Sequence, residues 1–331
     1  MPDFLSRLET FLAERGESLS FQQLTPDAST REYFRIGWRS ATAIACVYPE
    51  AFLEAEQSYL DVTKLFRSAM LPVAAVLDFD EVLGVIVLED MGDRILRDEI
   101  LASSEERREE LILGAIDLIP RIQAATGKAF ETNSIASRLK FDTDKLLWEL
   151  NFFKEHYFTT LKKQPLLPDI DAAVTEEFNE LCAELESKAM VLCHRDFHAA
   201  NLMIDQTGAL RIIDHQDARI GSVAYDLVSF LLDRITEPPT AEWLAEKRRH
   251  FLSERERLGL VSIDEQSFTK EFRLQTIQRC LKAVGTFSYQ SVNRGKTYFV
   301  PFIKPMFRIV LRAAENLEMF PELTKVLARE A

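Results

Sequence analysis

The sequence predicts an α+β chain in which a small five-stranded antiparallel sheet forms the N-terminal part and helices form most of a larger C-terminal part. Two observations predict this class. Runs rich in β-branched and aromatic residues are concentrated before residue 90, and apolar stripes at helical spacing dominate after residue 104. The chain has 331 residues, 47% of them hydrophobic, which is enough apolar material for a large core. We therefore expect two lobes, residues 1–89 and residues 90–331.

The N-terminal part is predicted to begin with an amphipathic helix. Apolar side chains recur at helical spacing from Phe4 to Leu12, and Gly16 supplies a stop. A second helix is predicted over residues 51–68, where an apolar stripe returns. Residues 37–40, with the sequence Gly-Trp-Arg-Ser, are typical of a hairpin turn. The five predicted strands are residues 19–24, 32–36, 42–48, 73–79 and 82–88.

The C-terminal part is predicted to be helical with one short β segment inside it. The predicted helices are residues 104–125, 143–161 and 172–188, followed by helix beyond Val223 with a break at Pro238 and Pro239. The predicted strands of the β segment are residues 190–193, 202–204 and 210–213. A polar turn over residues 205–208 separates the last two strands, so we expect them to pair as a hairpin.

Charge and cysteine content exclude several classes of protein. The net charge of −13 repels nucleic-acid backbones and anionic lipid, so we expect neither as a partner. The four cysteines stand far apart and lack metal-site or disulfide spacing, so we expect reduced thiols. The N-terminus lacks the apolar run of a signal peptide, and no apolar run is long enough to cross a bilayer. We expect a cytoplasmic protein that acts on a small molecule as a monomer or weak dimer.

Residues 191–217 carry the chemistry. Asp196 and Asn201 lie in a polar loop between two predicted strands, and Asp214 follows the last strand. Pairing of the hairpin would bring Asn201 and Asp214 side by side. A carboxylate and a carboxamide are oxygen donors that suit Mg²⁺. A second carboxylate, Asp196, could accept a proton from a substrate hydroxyl.

The same loop fits a motif of phosphoryl-transfer enzymes. Residues 194–201 match the pattern H-R-D-x-x-x-x-N at every fixed position, with Asp as base and Asn on Mg²⁺. No D-F-G or A-P-E motif follows, and Asp214 instead stands before His215. These departures argue against a protein kinase.

The chain resembles the aminoglycoside phosphotransferase-like kinases, and most closely the bacterial cell-wall amino-sugar kinases. Those enzymes phosphorylate the anomeric hydroxyl of N-acetylmuramate or N-acetylglucosamine. The stretches that carry the resemblance are residues 27–35, 88–93, 194–201, 214–227 and, more weakly, 278–287. The resemblance implies a two-lobe protein-kinase-like fold and the use of ATP and Mg²⁺, with GTP left open as the nucleotide. It also implies an amino sugar as the acceptor and a role in cell-wall recycling.

The resemblance also implies a role for each matching residue. Asp196 would be the catalytic base, and Asn201 and Asp214 would hold the metal. The phosphate loop would contain Ser29, Thr30 and Arg31, with Arg35 nearby in sequence. The hinge to adenine would be Glu89, Asp90 and Met91, and the acceptor site would contain His198, Gln216 and Asp217. His194, Arg195 and Asp226 would give structural support to the catalytic loop.

The predicted phosphate loop departs from the kinase pattern. It contains no G-x-G-x-x-G, and the strand predicted over residues 42–48 lacks the lysine that usually contacts the phosphates. The amino-sugar kinases tend to lack this lysine too. Our hypothesis is that Arg31 or Arg35 supplies the missing positive charge.

Three alternatives stay open at this point. The acceptor could be an aminoglycoside, choline or another small alcohol. The histidines and carboxylates around Asp196 and Asp214 could instead bind a transition metal in a hydrolase, although this would leave Asn201 without a role. The missing glycines and lysine would also fit a kinase-like module that binds without catalysis.

Overall fold

The computed structural model describes residues 3–24 and 30–331. The chain forms two compact units. The first contains the chain up to Ser103 together with Ala200–Asp217, and the second contains Ser104–Ala199 with Ala218–Ala331. The division into a nucleotide-binding lobe, residues 1–89, and a catalytic lobe, residues 90–331, concerns function as well as structure and stays a prediction.

The first unit is built on a five-stranded antiparallel sheet, which confirms the predicted fold class. The strand order is β1-β2-β3-β5-β4. The strands are β1 (Phe21–Leu24), β2 (Glu32–Trp38), β3 (Ala41–Val47), β4 (Val76–Asp80) and β5 (Val85–Glu89). The helices of this unit are α1 (Phe4–Glu14), α2 (Ser58–Ser68) and α3 (Leu96–Ala102). One sheet face packs on α1, where Phe11 stacks on Trp38.

The turn between β2 and β3 is tighter than predicted. Trp38 lies in the strand and pairs with Ala41, so only Arg39 and Ser40 form the turn. Both have positive φ, 45° and 70°, as a two-residue turn that matches strand twist requires. The predicted helix over residues 51–68 begins only at Ser58, where Gln57 caps it, and a short 3-10 turn precedes it.

A second hairpin belongs to the first unit. Its strands are β7 (Leu202–Ile204) and β8 (Leu210–Ile212), separated in sequence from the rest of the unit by about a hundred residues. Two backbone bonds fasten it: Ile212 N donates to Pro72 O, and Ile204 N donates to Arg94 O, each at 2.9 Å. The hairpin is therefore hydrogen-bonded to the backbone of the first unit at both of its strands.

The second unit is mainly helical, as predicted. Its two short strands, β6 (Val191–Cys193) and β9 (Arg219–Gly221), pair antiparallel. Its helices are α4 (Glu105–Ala124), α5 (Thr126–Glu131), α6 (Ile135–Arg138), α7 (Thr143–Phe153), α8 (Pro168–Ser187), α9 (Tyr225–Leu231), α10 (Ala241–Arg257), α11 (Glu265–Asn293), α12 (Ile303–Glu315) and α13 (Pro321–Leu327). A π-helical segment, Lys154–Leu161, continues α7.

The longest helix, α11, lies at the centre of this unit. Seventeen of its 29 residues are buried, including Gln275, Gln278 and Arg279. Gly285 lets the helix approach the backbone of Phe153, because a Cβ there would lie 2.8 Å from Phe153 Cα. Polar side chains buried on a central helix need partners, and Arg279 has one in Asp196 of the predicted catalytic loop.

Within residues 3–24 and 30–331, none of the helices is long and apolar enough to cross a membrane. All four cysteines are buried free thiols: Cys46 in the first unit and Cys182, Cys193 and Cys280 in the second. Burial raises the pKa of Cys46, Cys182 and Cys280 to about 12.

Candidate active site

The loop that follows β6 is held by one buried carboxylate. Asp226, at the start of α9, accepts hydrogen bonds from His194 N at 2.7 Å and Arg195 N at 3.0 Å. Arg195 has φ of 83°, a backbone conformation that a non-glycine residue adopts only when its surroundings hold it there. The buried His194 ring meets Phe197 edge-on. These contacts order the loop, and the role of His194, Arg195 and Asp226 as structural support for catalysis stays a prediction.

Asp196, the predicted base, lies among cations of the second unit. Lys282 Nζ is 3.5 Å and Arg279 Nη2 is 3.8 Å from Oδ1, and Arg195 Nη1 is 3.7 Å from Oδ2. Burial alone would raise the pKa of Asp196, but Lys282, Arg195 and Arg279 outweigh it and hold the pKa well below the ordinary value. Asp196 is therefore a carboxylate at neutral pH, able to accept a hydrogen bond from a substrate hydroxyl.

His198 lies two residues beyond Asp196 in the same loop. Burial lowers its pKa, although Asp233 and Asp196 act in the opposite direction. A histidine with a lowered pKa is a neutral ring at pH 7, which can both donate and accept a hydrogen bond. Its predicted contact with the acceptor stays a prediction.

The first unit brings the two predicted metal ligands together. The backbone N–H of Ile213 donates to Asn201 O at 3.1 Å, and Asn201 Nδ2 lies 3.4 Å from Asp214 Oδ2. Gln216 Nε2 donates to Asp214 Oδ1 at 2.9 Å. Asp214 has φ of 60°, so its backbone turns sharply directly after the strand. The two side chains offer carboxylate and amide oxygens, a donor set that fits Mg²⁺.

Arg31 reaches the same place. Its Nη2 lies 3.7 Å from Asp214 Oδ1, and its Nη1 donates to the Tyr48 hydroxyl at 3.4 Å. Tyr33 and Tyr48 flank the guanidinium carbon, at 5.8 Å and 5.5 Å from their ring centroids. Ser29 lies outside the described residues, and Thr30 is exposed beside Arg31. Of the two arginines in our hypothesis, Arg31 is thus the one that contacts a predicted metal ligand.

Arg35 has different partners. Its guanidinium pairs with Asp90 at 2.8 Å and Asp93 at 2.7 Å. Burial would raise the pKa of Asp90, but Arg35 and the N–H of Gly92 lower it. Arg35 therefore anchors the segment after β5, where the adenine hinge is predicted.

The predicted hinge residues make hydrogen bonds and apolar contacts within the first unit. Glu89 N donates to Ala75 O at 2.9 Å, while the Glu89 carboxylate accepts from Ala75 N at 3.0 Å and Arg211 Nη2 at 2.9 Å. Met91 is buried in an apolar cluster with Tyr59 and Leu88. Since the N–H of Glu89 is used within the unit, a contact from Glu89 to adenine would come from its carbonyl oxygen. The hinge stays a prediction.

His215 occupies an apolar site that an aromatic ring would also fill. Its Nε2 lies 2.7 Å from Thr63 Oγ1, and its ring packs between Tyr59 and Phe66 of α2. Asp217, predicted to contact the acceptor, is half-buried at the end of the Ala200–Asp217 segment. Among the residues that the structure describes, no group of three or more His, Cys, Asp or Glu side chains could hold a metal ion. The hydrolase alternative therefore lacks a ligand set in that part of the chain.

Sequence reasoning gave no role to two residues that lie close to Asp196, Arg279 and Lys282 on α11. Residues 278–287 carried part of the family resemblance, so their similarity was visible, but no pattern linked them to Asp196. The link is a tertiary contact between elements far apart in sequence.

Comparison with known proteins agrees with the motif. The model of a phosphotransferase enzyme family, APH, matches residues 20–261. A relative named N-acetylmuramate/N-acetylglucosamine kinase, from Neisseria meningitidis, is 28% identical over 330 residues, covering 98% of this chain and 95% of the relative. A relative of the same name from Caulobacter vibrioides is 30% identical over 303 residues, covering 88% and 77%.

A solved structure shows the same fold. A thermostable variant of the aminoglycoside phosphotransferase APH(4)-Ia, in a ternary complex with AMP-PNP and hygromycin B, superposes with a TM-score of 0.58. It is 20% identical, and the match covers 93% of this chain and 98% of that one. The predicted resemblance and the kinase-like fold are thus confirmed. The family match spans most of the sequence, including the loop of Asp196 and the hairpin of Asn201 and Asp214, and on this basis the chain belongs to the APH phosphotransferase enzyme family.

Proposed function

We propose that this phosphotransferase moves the γ-phosphoryl group of ATP to the anomeric hydroxyl of an N-acetylated amino sugar, N-acetylmuramate or N-acetylglucosamine. The observation that carries the proposal is Asp196, a carboxylate kept ionised by three cations in a loop that Asp226 fixes. The named relatives, matched over most of their length, support the amino sugar as acceptor. Because ATP is held inside the cell, we place the reaction in the cytoplasm, in the reuse of cell-wall amino sugars.

Asn201 and Asp214 would hold Mg²⁺ through their side-chain oxygens. Bound there, the ion would neutralise charge on the nucleotide phosphates. Arg31 would add positive charge at the same phosphates, in place of the lysine that β3 lacks. The proposed contacts to adenine are the carbonyl oxygen of Glu89 and the N–H and C=O groups of Asp90 and Met91. Thr30 and Ser29 belong to the proposed phosphate loop.

Asp196 would accept a hydrogen bond from the sugar hydroxyl and aim its oxygen at the γ-phosphorus. The new O–P bond forms while the bond to the bridging oxygen of ADP breaks, and the hydroxyl proton passes to Asp196. Since the pKa of Asp196 is low, its main contribution is orientation, with proton transfer late in a loose transition state. His198, Gln216 and Asp217 are the proposed further contacts to the acceptor.

The decisive experiment compares Asp196→Asn with the wild-type enzyme in a coupled ADP-release assay. The acceptors are N-acetylmuramate, N-acetylglucosamine, an aminoglycoside and choline. We expect wild-type turnover on the amino sugars and a loss in kcat of at least about 100-fold in the variant, because general-base and orienting effects are of that size. ATP binding should be retained. Turnover on choline or the aminoglycoside alone would contradict the proposed acceptor, and wild-type kcat in the variant would contradict the role of Asp196.

A further inference from the structure

Asp196 lies close to several cationic side chains. Three cationic side chains lie within 4 Å of one carboxylate, and those of Lys282 and Arg279 are only 17% and 9% exposed. The protein as a whole carries a net charge of −13. Cationic side chains that are largely removed from water lose solvation, which a bound anion can replace.

The helix that supplies two of these cations treats its buried polar residues in two ways. Gln275 and Gln278 belong to a continuous series of hydrogen bonds. Gln275 accepts from Ser222 and donates to Gln278, and Gln278 donates to Glu149, each at 2.9–3.0 Å. Arg279 and Lys282 follow on the same face at helical spacing and point to Asp196, and Arg279 Nε also donates to Ser229 Oγ at 2.9 Å. The glutamines therefore complete a structural network, and the two cations do not belong to it.

Lys282 uses little of its binding capacity. An ammonium group has three donors, and charge-assisted hydrogen bonds are normally 2.7–2.9 Å long. Among the described residues, the ion pair with Asp196 at 3.5 Å is the one that Lys282 makes. Burial, followed by the charge of Arg279, lowers the pKa of Lys282, so a nearby anion would be stabilising.

A second, independent polar group, the hydroxyl of Tyr225, has no hydrogen-bond partner among the described residues. Tyr225 is completely buried, and within the described part of the chain its hydroxyl makes no hydrogen bond. Its ring stacks on Phe141, and its hydroxyl lies within electrostatic range of Glu149, Arg279 and Asp196. A buried hydroxyl without a hydrogen-bond partner, within electrostatic range of Arg279 and Asp196, leaves a donor that a bound ligand could use.

We propose that Lys282 and Arg279 form an oxyanion-binding subsite beside Asp196. This inference rests on the proposed function, since it assigns the subsite to the reacting substrates. The oxyanion is either the phosphoryl group that passes to the acceptor oxygen or a carboxylate of the acceptor itself. N-acetylmuramate carries a lactyl carboxylate, whereas N-acetylglucosamine is neutral, so the two sugars distinguish these sources.

The test is Lys282→Met, assayed as kcat/KM on both sugars. The matched control is Lys270→Met, the same change at an exposed position of α11. Removing a hydrogen bond from a charged group should reduce kcat/KM by roughly 10- to 100-fold. A loss confined to N-acetylmuramate would identify the carboxylate. Equal losses on both sugars with an unchanged acidic limb of the pH–rate profile would identify the phosphoryl group, because Asp196 is then still ionised. Equal losses with a shifted acidic limb would show that Lys282 acts only through Asp196 and would overturn the subsite. Lys282→Arg should recover part of the activity in either case.

Values for Lys282→Met within twofold of the control on both sugars would overturn the subsite. Thermal unfolding of the variant separates this result from misfolding, and methionine fills a similar volume. If the wild-type enzyme turns over neither sugar, the proposed function fails by itself. Lys282→Met and Lys270→Met are then compared on the acceptor that is used, and equal activity of the two variants again overturns the subsite.

Discussion

Arg31 and Arg35 stand four residues apart in the sequence, yet the structure gives them different partners. Arg31 contacts Asp214, a proposed metal ligand, and is held by Tyr48. Arg35 is paired with Asp90 and Asp93. Two carboxylates already neutralise the charge of Arg35, so this charge is poorly available to a phosphate group. Replacing Arg31 and replacing Arg35 should therefore have different effects on the protein.

We expect Arg31→Met to raise the Kd for ATP by roughly 10-fold or more, because a charged contact to phosphate is lost. Arg31→Lys should recover part of the affinity. Arg35→Met should instead lower the unfolding midpoint, since it leaves the half-buried Asp90 uncompensated. Nucleotide titration and thermal unfolding separate the two effects. Unchanged ATP affinity in Arg31→Met would remove Arg31 from the phosphate site.

Asp226 provides a pH-dependent prediction. Burial raises its pKa to about 7, against two backbone hydrogen bonds that act to lower it, and the negative charge of Asp196 adds to the rise. In the unfolded chain the carboxyl titrates near 3.9. Between these values the folded protein binds a proton that the unfolded chain has released, so the contribution of Asp226 to stability is highest below about pH 4 and decreases as the pH rises towards 7.

The measurement is denaturant unfolding of wild type and Asp226→Asn at several pH values. Asparagine keeps an acceptor oxygen and cannot titrate. We expect the free energy of unfolding of the wild type, relative to the variant, to decrease between pH 4 and pH 7. A difference that is flat over this range would mean that Asp226 stays ionised in the folded state.

At the scale of elements, the β7–β8 hairpin depends on a salt bridge to the sheet of the first unit. Arg211 on β8 binds Glu89 at the end of β5 at 2.9 Å and Asp205 in the hairpin turn at 3.1 Å. Glu89 in turn accepts from Ala75 N. These bonds fix the strand that leads into Asp214.

Arg211→Met should lower the free energy of unfolding by about 1–2 kcal/mol, the size expected for hydrogen bonds between partly exposed charged groups. The control is Arg107→Met, where a pair with Glu110 is exposed on both sides and should contribute less than about 0.5 kcal/mol. Urea unfolding gives both values. An equal effect of the two changes would show that Arg211 does not fasten the hairpin.

The elements that the sequence predicted are those with strong local patterns. Apolar periodicity located α1 and α4, and the Asp205–Gly208 turn located the β7–β8 hairpin that pairs Asn201 with Asp214. The strand β9 was missed, because Arg219, Ile220 and Gly221 include a single apolar side chain and form a strand only by pairing with β6. Helix α8 begins at Pro168, four residues before the predicted start, because proline fits the first turn of a helix.

The candidate site was predictable only in part for a similar reason. Asp196, Asn201 and Asp214 lie in one short stretch whose spacing is informative. Lys282 and Arg279 reach Asp196 from a helix about eighty residues later, and Arg31 reaches Asp214 from the opposite end of the chain. Such contacts depend on tertiary packing, which periodicity and motif spacing do not report.

For the molecule as a whole, ligand binding should appear as stability. If Asn201 and Asp214 hold Mg²⁺ with the nucleotide, ATP with Mg²⁺ at about 100 times its Kd should add about 2.7 kcal/mol to the free energy of unfolding. We expect a rise of a few degrees in the midpoint of thermal unfolding, and EDTA should reduce it. Asp214→Ala should lose the metal-dependent part, whereas Asp196→Asn should keep it. An identical rise with and without Mg²⁺ would contradict the metal site.

The positions of the cysteines allow local opening of the structure to be measured through the reactivity of their thiols. A thiol shielded from water and kept protonated reacts with a maleimide or an aromatic disulfide only when its surroundings separate. Cys46 samples one compact unit, and Cys182, Cys193 and Cys280 sample the other. A variant that retains Cys46 alone and one that retains Cys182 alone would therefore report the rate of local opening in each unit without an introduced cysteine.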